Sequence, residues 1–268
     1  MKLKVFKSLW GMEHLPLDER FARISAAGYA GVECAPPGLD EERQFRELLE
    51  RYGLEYASML FTNGDHIESF RSQLERAAAF SPVLVNAHSA KDDMPYEEQL
   101  RFYRQAAEIE RSVGFPVVHE THRGRAMYTP WTTERLLDDV PELRLCADFS
   151  HWCVVCESLL EDQADRMAKI TARASYVHAR VGYAEGPQVN HPAAPEHADA
   201  LAAHDAWWRS IARHRRDQGA DQLIIVPEFG PPGYLQTLPF TRQPVSDLWE
   251  VCLWMKNYLE SRWDEWLA

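Results

Sequence analysis

The sequence predicts an α/β fold, a (β/α)8 TIM barrel forming a single domain over residues 1–268. Three observations predict it. Short apolar runs rich in Val, Ile, Tyr and Phe recur along the chain, each of strand length. Amphipathic segments with helical spacing lie between them, several closed by glycine. The loop after the first run, FKSLWGMEHL, holds only one glycine, where a doubly wound open sheet would carry a glycine-rich phosphate loop.

In chain order, KVFKSLW (4–10) reads as the first strand and LDERFARISAAG as its helix, stopping at Gly28. AGVECA (30–35) precedes EERQFRELLERYG, which ends at Gly53, and EYASML (55–60) is the third strand. PVLVNAHS (82–89) leads into YEEQLRFYRQAAEIERSVG, ending at Gly114. PVVHET (116–121), LRLCADF (143–149) and YVHARV (176–181) follow as strands five to seven. The seventh run opens the one long insertion, VGYAEGPQVNHPAAPEHADALAAH, whose 182–204 stretch reads as an ordered loop near the site. AWWRSIARHRRDQG ends at Gly219, LIIVPEF (223–229) is the eighth strand, and VSDLWEVCLWMKNYLESRW is a final aromatic-rich helix with Ser246 near its cap. Its tryptophans recur at helical spacing and read as a packed face. Strands joined through a helix must run parallel.

The formal net charge is −12, and no run of Lys and Arg offers a phosphate-backbone footprint, which excludes nucleic acid as the expected partner. Five cysteines at no scaffold spacing point to reduced thiols, and the lone CxxC of Cys153 and Cys156 reads as packing. MKLKVFKSLWGM is too short and lysine-broken for a secretory segment, and no apolar run spans a membrane. A cytoplasmic protein is expected. Aromatics near the C-terminus, read as exposed, suggest a homodimer.

Barrel chemistry gathers at the C-terminal ends of the strands. Strand five ends in Glu120, strand six in Asp148, strand seven in His178 and strand eight in Glu228. Three carboxylates and an imidazole converging on one level would repel unless a cation met them. They suit one divalent ion, Mn²⁺ first, with Mg²⁺, Co²⁺ or Zn²⁺ as alternatives. His151, in the D-x-x-H of ADFSHW, is a second ligand or a donor to substrate. Arg180, two residues after His178, points inward with it and binds substrate or pairs with Glu228. His88 and Trp10 complete the candidate substrate-binding set, with Glu33 as a polar neighbour. His119 alternates with Glu120 and is expected to be structural, and His122, Arg123 and Arg125 lie on the loop beyond.

GYAGVE, the glutamate closing strand five, D-x-x-H, the strand-seven histidine and PEFG together resemble the xylose isomerase-like TIM barrel superfamily, the sugar phosphate isomerase/epimerase group. The resemblance runs the length of the chain as an order of strands. It implies that Glu120, Asp148, His178 and Glu228 are the mononuclear metal ligands of the ketose epimerases and that His151 contacts substrate. The chain departs from that pattern at Ala184, where the epimerases carry arginine, and at Ala126, where they carry a second glutamate. The expected activity is a metal-dependent isomerase or epimerase of a ketose or keto-polyol, with Glu120 and Glu228 as acid and base around an enediolate. A lyase or dehydratase on a keto-sugar or keto-inositol, and a non-catalytic sugar-binding barrel, are the alternatives.

Overall fold

Successive residues of a strand point to opposite faces. In this chain one set fills the inside of a barrel and the other meets a jacket of helices. The computed structural model describes residues 1–268. It closes eight parallel strands in sequence order, β1 (Lys2–Ser8) pairing with both β2 (Gly31–Cys34) and β8 (Gln222–Val226). Between them stand β3 (Glu55–Phe61), β4 (Leu84–His88), β5 (Val117–Glu120), β6 (Leu145–Ala147) and β7 (Ala174–His178). Outside run α1 (Leu17–Ala26), α2 (Glu42–Tyr52), α3 (His66–Ala78), α4 (Tyr96–Glu110) and α5 (Pro130–Asp139). α6 (Ser150–Val155), α7 (Ala164–Thr171), α8 (Ala198–Asp217) and α9 (Leu248–Leu267) complete the ring. The predicted (β/α)8 TIM barrel is the observed fold.

The barrel interior is layered. Phe6, Leu84, Val118, Cys146, Tyr176 and Val226 belong to one buried apolar cluster inside it. Gly31 belongs to the same layer: a Cβ there would stand 2.6 Å from Phe6 Cζ and from the Glu55 carbonyl, so only glycine leaves room for the ring. Two residues further along the same strands come Ser8, Asn86, Glu120, Asp148, His178 and Glu228, all buried. The period of two therefore converts an apolar floor into a polar upper layer on the same inward face.

The jacket packs through ordinary amphipathic contacts, with Phe21, Phe45, Tyr56 and Phe80 meeting edge-on beneath the first strands. α2 ends on the left-handed Gly53, as its sequence predicts. Several expectations are corrected. The strand YVHARV stops at His178, so Arg180 lies just past it, and β8 stops at Val226, two residues before Glu228. The last seven residues of the 182–204 insertion are helix, because α8 begins at Ala198. A second long connection, residues 227–247, separates β8 from α9, which Asp247 caps rather than Ser246, its side chain accepting from the Glu250 amide. The aromatics of α9 are not exposed: Trp263 and Trp266 are buried, and Trp254 stacks on Tyr258. They form the packed face that their spacing predicts, which removes the basis of the homodimer expectation. No helix is long and apolar enough to cross a membrane. The five cysteines are free.

α8 is tied to the loop after β7 by His204, whose Nδ1 lies 2.8 Å from the Ala200 carbonyl while Nε2 accepts from the Gly182 amide at 3.3 Å. Burial lowers the His204 pKa to about 4, against the smaller raising effect of the Ala200 carbonyl. The unfolded chain therefore binds a proton more readily, and the stability held here is fully present above about pH 6.5 and lost as pH falls toward 4. The loss is on the order of 3 kcal/mol. Urea unfolding between pH 7 and 4 should show this slope and His204→Gln should flatten it; equal slopes in both proteins would count against the assignment.

Candidate active site

Each strand of the second half of the barrel delivers one group to the upper layer. Val118 in the floor places Glu120 above it, Cys146 places Asp148, Tyr176 places His178, and Val226 places Glu228. One ligand atom from each of Glu120, Asp148, His178 and Glu228 can be chosen so that all four lie within 4.8 Å of one another. Ligands on opposite sides of one divalent cation stand roughly 4 to 5 Å apart.

The histidine is held at its far side. Glu33 Oε1 on β2 lies 2.9 Å from His178 Nε2 and accepts the Tyr176 hydroxyl at 2.8 Å. That leaves Nδ1 directed at the carboxylates, 3.0 Å from Glu228 Oε2 and 3.3 Å from Glu120 Oε2, yet aligned for a hydrogen bond with neither. Glu120 Oε1 is likewise buried without a partner. Glu120 Oε2 accepts from Asn86 Nδ2 at 2.7 Å, with His88 Nε2 at 2.9 Å. The two unpartnered atoms on a carboxylate and an imidazole, among further carboxylates, are what a hard divalent cation would satisfy, and the residues fit one.

Arg180 is a second positive centre. Its Nη2 bonds Asp148 Oδ2 and points at His151 Nε2, 2.7 Å away. Nε donates to Ser150 Oγ at 3.1 Å, and Nη1 donates to the Glu228 carbonyl at 3.3 Å while lying 3.5 Å from Glu228 Oε2. Ser150 in turn donates its hydroxyl and its amide to Asp148 Oδ1.

The charges follow from this packing. Burial pushes the Glu120 carboxyl up, but His88 and His178 together outweigh it and hold the group well below its usual range. Glu228 is also lowered, burial again being overcome by His178 and Arg180. At Asp148 burial prevails over Arg180, and the pKa rises to about 6. Burial works against a charged His178, yet the carboxylates of Glu228, Glu33 and Glu120 raise it well above the ordinary value. In the protein alone a proton on this imidazole balances the carboxylates, and a cation bound at Nδ1 would replace it. The Cys146 thiol beside it is pushed well up, chiefly by burial, and stays protonated.

The layer opens into a cleft of about 540 Å³. Its polar end carries His88, Glu120, His122, Arg180, Glu228 and Tyr234. Trp10 meets Tyr234 edge-on at 5.0 Å, and Arg180 lies 4.9 Å over the same tyrosine ring. His122 packs on His151 at 3.9 Å, and burial lowers its pKa to about 4, so it is neutral at pH 7. His88, Glu120 and His122 form a second group of potential ligand atoms that shares Glu120 with the first.

All eight residues singled out from the sequence lie in or beside this constellation: Glu120, Asp148, His178 and Glu228 in the cluster, His88, Arg180 and Trp10 lining the cleft, and His151 behind Arg180. Arg180 pairs chiefly with Asp148. His119 is indeed structural, on the outer face between Ser89 Oγ at 2.6 Å and Glu110 Oε1 at 2.8 Å. Sequence reasoning missed Tyr234, which the unforeseen 227–247 connection carries, Asn86, whose partners come from other strands, and Ser150, which bonds Asp148 two residues earlier and Arg180 beyond β7. For Asn86 the inward period of β4 was an available signal.

The comparisons agree with this fold. The family model described as xylose isomerase-like TIM barrel matches residues 21–243. No curated protein matches. Among solved structures, a xylose isomerase-like TIM barrel protein from Mycobacterium smegmatis in complex with magnesium is 13% identical with a TM-score of 0.67, over 99% of this chain and 98% of that one. D-Allulose 3-epimerase from Methylomonas sp. in complex with D-allulose is 16% identical, TM-score 0.64, over 98% of each chain. The probable 3-DHS dehydratase AsbF of petrobactin synthesis from Bacillus anthracis is 16% identical, TM-score 0.63, over 97% of this chain and 99% of that one. At these identities the likeness is one of fold.

Gly182 lets the loop after β7 pass against Ser150: a Cβ there would stand 2.6 Å from the Ser150 carbonyl oxygen and 2.7 Å from its Cα. Backbone cannot yield as a side-chain tip can, so Gly182→Ala should destabilise the fold by about 1–3 kcal/mol, the usual cost of overpacking. An unchanged urea midpoint would show that the two segments are not in contact.

Proposed function

We propose that this chain, which belongs to the xylose isomerase-like TIM barrel family, is a divalent-cation-dependent isomerase or epimerase of a ketose or keto-polyol. The observation that carries the reading is the convergence of Glu120, Asp148, His178 and Glu228, with two unpartnered ligand atoms among them, at the head of a cleft. A likeness in fold to an epimerase solved with D-allulose and to a protein solved with magnesium supports it. The ion is Mn²⁺ in this reading: the ligands are carboxylates and one imidazole, and the one nearby thiol, Cys146, is kept protonated. When bound, the cation supplies Lewis-acid stabilisation for negative charge developing on the substrate oxygens.

The chain's own residues do the rest. Glu120 and Glu228 project from β5 and just beyond β8, and both are held ionised, so each can accept a proton from the carbon beside the carbonyl. One takes the proton; the other, having taken up a proton from solvent, delivers it to the opposite face of the enediolate and inverts the centre, while delivery by the first to the neighbouring carbon relocates the carbonyl. Asn86 and His88 fix the Glu120 carboxylate, and Arg180 steadies the backbone and side chain of Glu228. Trp10 and Tyr234 close the polar end against water.

A lyase or dehydratase acting through the same deprotonation is the second reading. It is favoured by His122, a neutral imidazole on the cleft wall whose Nδ1 is buried without a partner and which is placed to serve a leaving group. Loss of water or an aglycone, against conserved mass, separates the two by product analysis.

Purified protein loaded with Mn²⁺ should transfer solvent deuterium into one of a panel of ketoses, keto-inositols and 3-keto-glycosides, and EDTA should stop it. Glu120→Gln and Glu228→Gln should each lower exchange by about 10²- to 10⁴-fold; normal exchange in both variants would remove them as bases. Glu33→Gln, which weakens the acceptor behind His178, should reduce Mn²⁺ affinity by about 10- to 100-fold in calorimetry. Unaltered affinity there would separate Glu33 from the cation site.

A further inference from the structure

The cleft is larger than its polar end, and its other end has a different character. Leu9, Leu17, Pro37, Phe45, Met59 and Phe61 line this other part, from β3, the loops after β1 and β2, and the N-terminal turns of α1 and α2. Phe61 is the telling member. It is 40% exposed, and its ring stacks on His88 at 4.4 Å, so an apolar face begins directly beside the group that touches Glu120. Continuous with the other apolar residues of this part of the cleft, Phe61 offers a ligand an apolar surface beside the polar site.

The charges at this end speak against an anion. Glu13 and Glu41 line the same half. Arg20, the cation among them, gives Nε to the Leu15 carbonyl at 2.7 Å and Nη2 to the Glu13 carbonyl at 3.1 Å. Arg125, toward the polar end, gives Nη1 to the carbonyls of Thr62 and Ala90. Phosphate recognition wants free, convergent donors; Arg20 already gives Nε and Nη2, and Arg125 its Nη1, to backbone carbonyls, and two carboxylates share the wall.

Resting on the reading of the site proposed above, we infer that the substrate is a glycoside-type keto-sugar whose aglycone is uncharged, apolar and ring-sized, and that it is not a sugar phosphate. The sugar portion lies at the four-ligand end, and the aglycone lies along Phe61, Met59 and Leu17. The apolar wall then supplies the affinity that a hydrated sugar, burying little apolar surface, cannot.

The probes are phenyl β-D-glucopyranoside, methyl β-D-glucopyranoside and glucose 6-phosphate, titrated calorimetrically into Mn²⁺-loaded protein. The phenyl compound should bind about 10- to 50-fold more tightly than the methyl compound, with the phosphate weakest. Phe61→Ala should narrow that ratio several-fold. Leu17→Asp, at the start of α1 where a carboxylate suits the helix dipole, should narrow it again without unfolding the chain. Equal binding of the phenyl and methyl compounds, or tightest binding of the phosphate, overturns the inference. A phenyl preference that persists in protein showing neither cation binding nor proton exchange overturns the isomerase reading alone and leaves the apolar subsite standing.

Discussion

The structure turns on one buried imidazole. His178 stands with no solvent exposure between Glu33 on one side and Glu120 and Glu228 on the other. Carboxylates brought this close in a low-dielectric interior repel and lose hydration, so they persist only where positive charge meets them. The barrel supplies His178 and Arg180, and both are two residues apart on one inward face. A proton on the imidazole, or a cation in its stead, is therefore required by the layer itself, whatever reaction it serves.

That requirement explains why the lower layer is as apolar as it is. A polar floor would admit water and screen the interactions that hold Glu120 and Glu228 ionised. Phe6 packed against Gly31, with Val118, Tyr176 and Val226 around them, closes the barrel below the ligands. Tyr176 belongs to both layers: its ring fills the floor while its hydroxyl donates to the Glu33 oxygen that orients His178. Stability and site geometry are thus set by the same strand period.

How much of this could be read in advance follows from range along the chain. Glu120, Asp148, His178 and Glu228 were legible because each follows an apolar strand residue at a spacing of two, a local signal that needs only the barrel to be interpreted. Glu33 was legible as a strand-end polar residue, but its bond to His178 was not, since 145 positions separate them. Tyr234 was invisible because nothing in PPGYLQTLPFTRQP marks one side chain for the cleft. The start of α8 was misplaced for the opposite reason. PAAPEH reads as loop, and the helical character of ADALAAH was outweighed by its proline-rich neighbourhood, although tertiary contact from His204 makes it the anchored end. The exposed C-terminal aromatics failed similarly, because burial depends on α8 and on the first residue of the chain, with Trp263 Nε1 3.4 Å from the Met1 carbonyl.

The two departures from the epimerase pattern, Ala184 and Ala126, gain a physical meaning in the structure. Ala126 is fully buried in the main apolar cluster and Ala184 lies on the loop after β7, and the natural suggestion that Arg180 replaces the missing arginine does not survive its bonding. Its Nε and both Nη nitrogens are engaged by Ser150, Asp148, His151 and Glu228. An arginine so bound positions ligands and balances charge, and offers little to a sugar hydroxyl. Discrimination must then come from elsewhere on the wall, and the side chains there are Trp10, Phe61, Met59 and their neighbours. In the proposed reading, proton transfer resides in the upper layer and recognition in the loops and the apolar wall, so the wall can change what is recognised without altering the groups that act on a carbonyl.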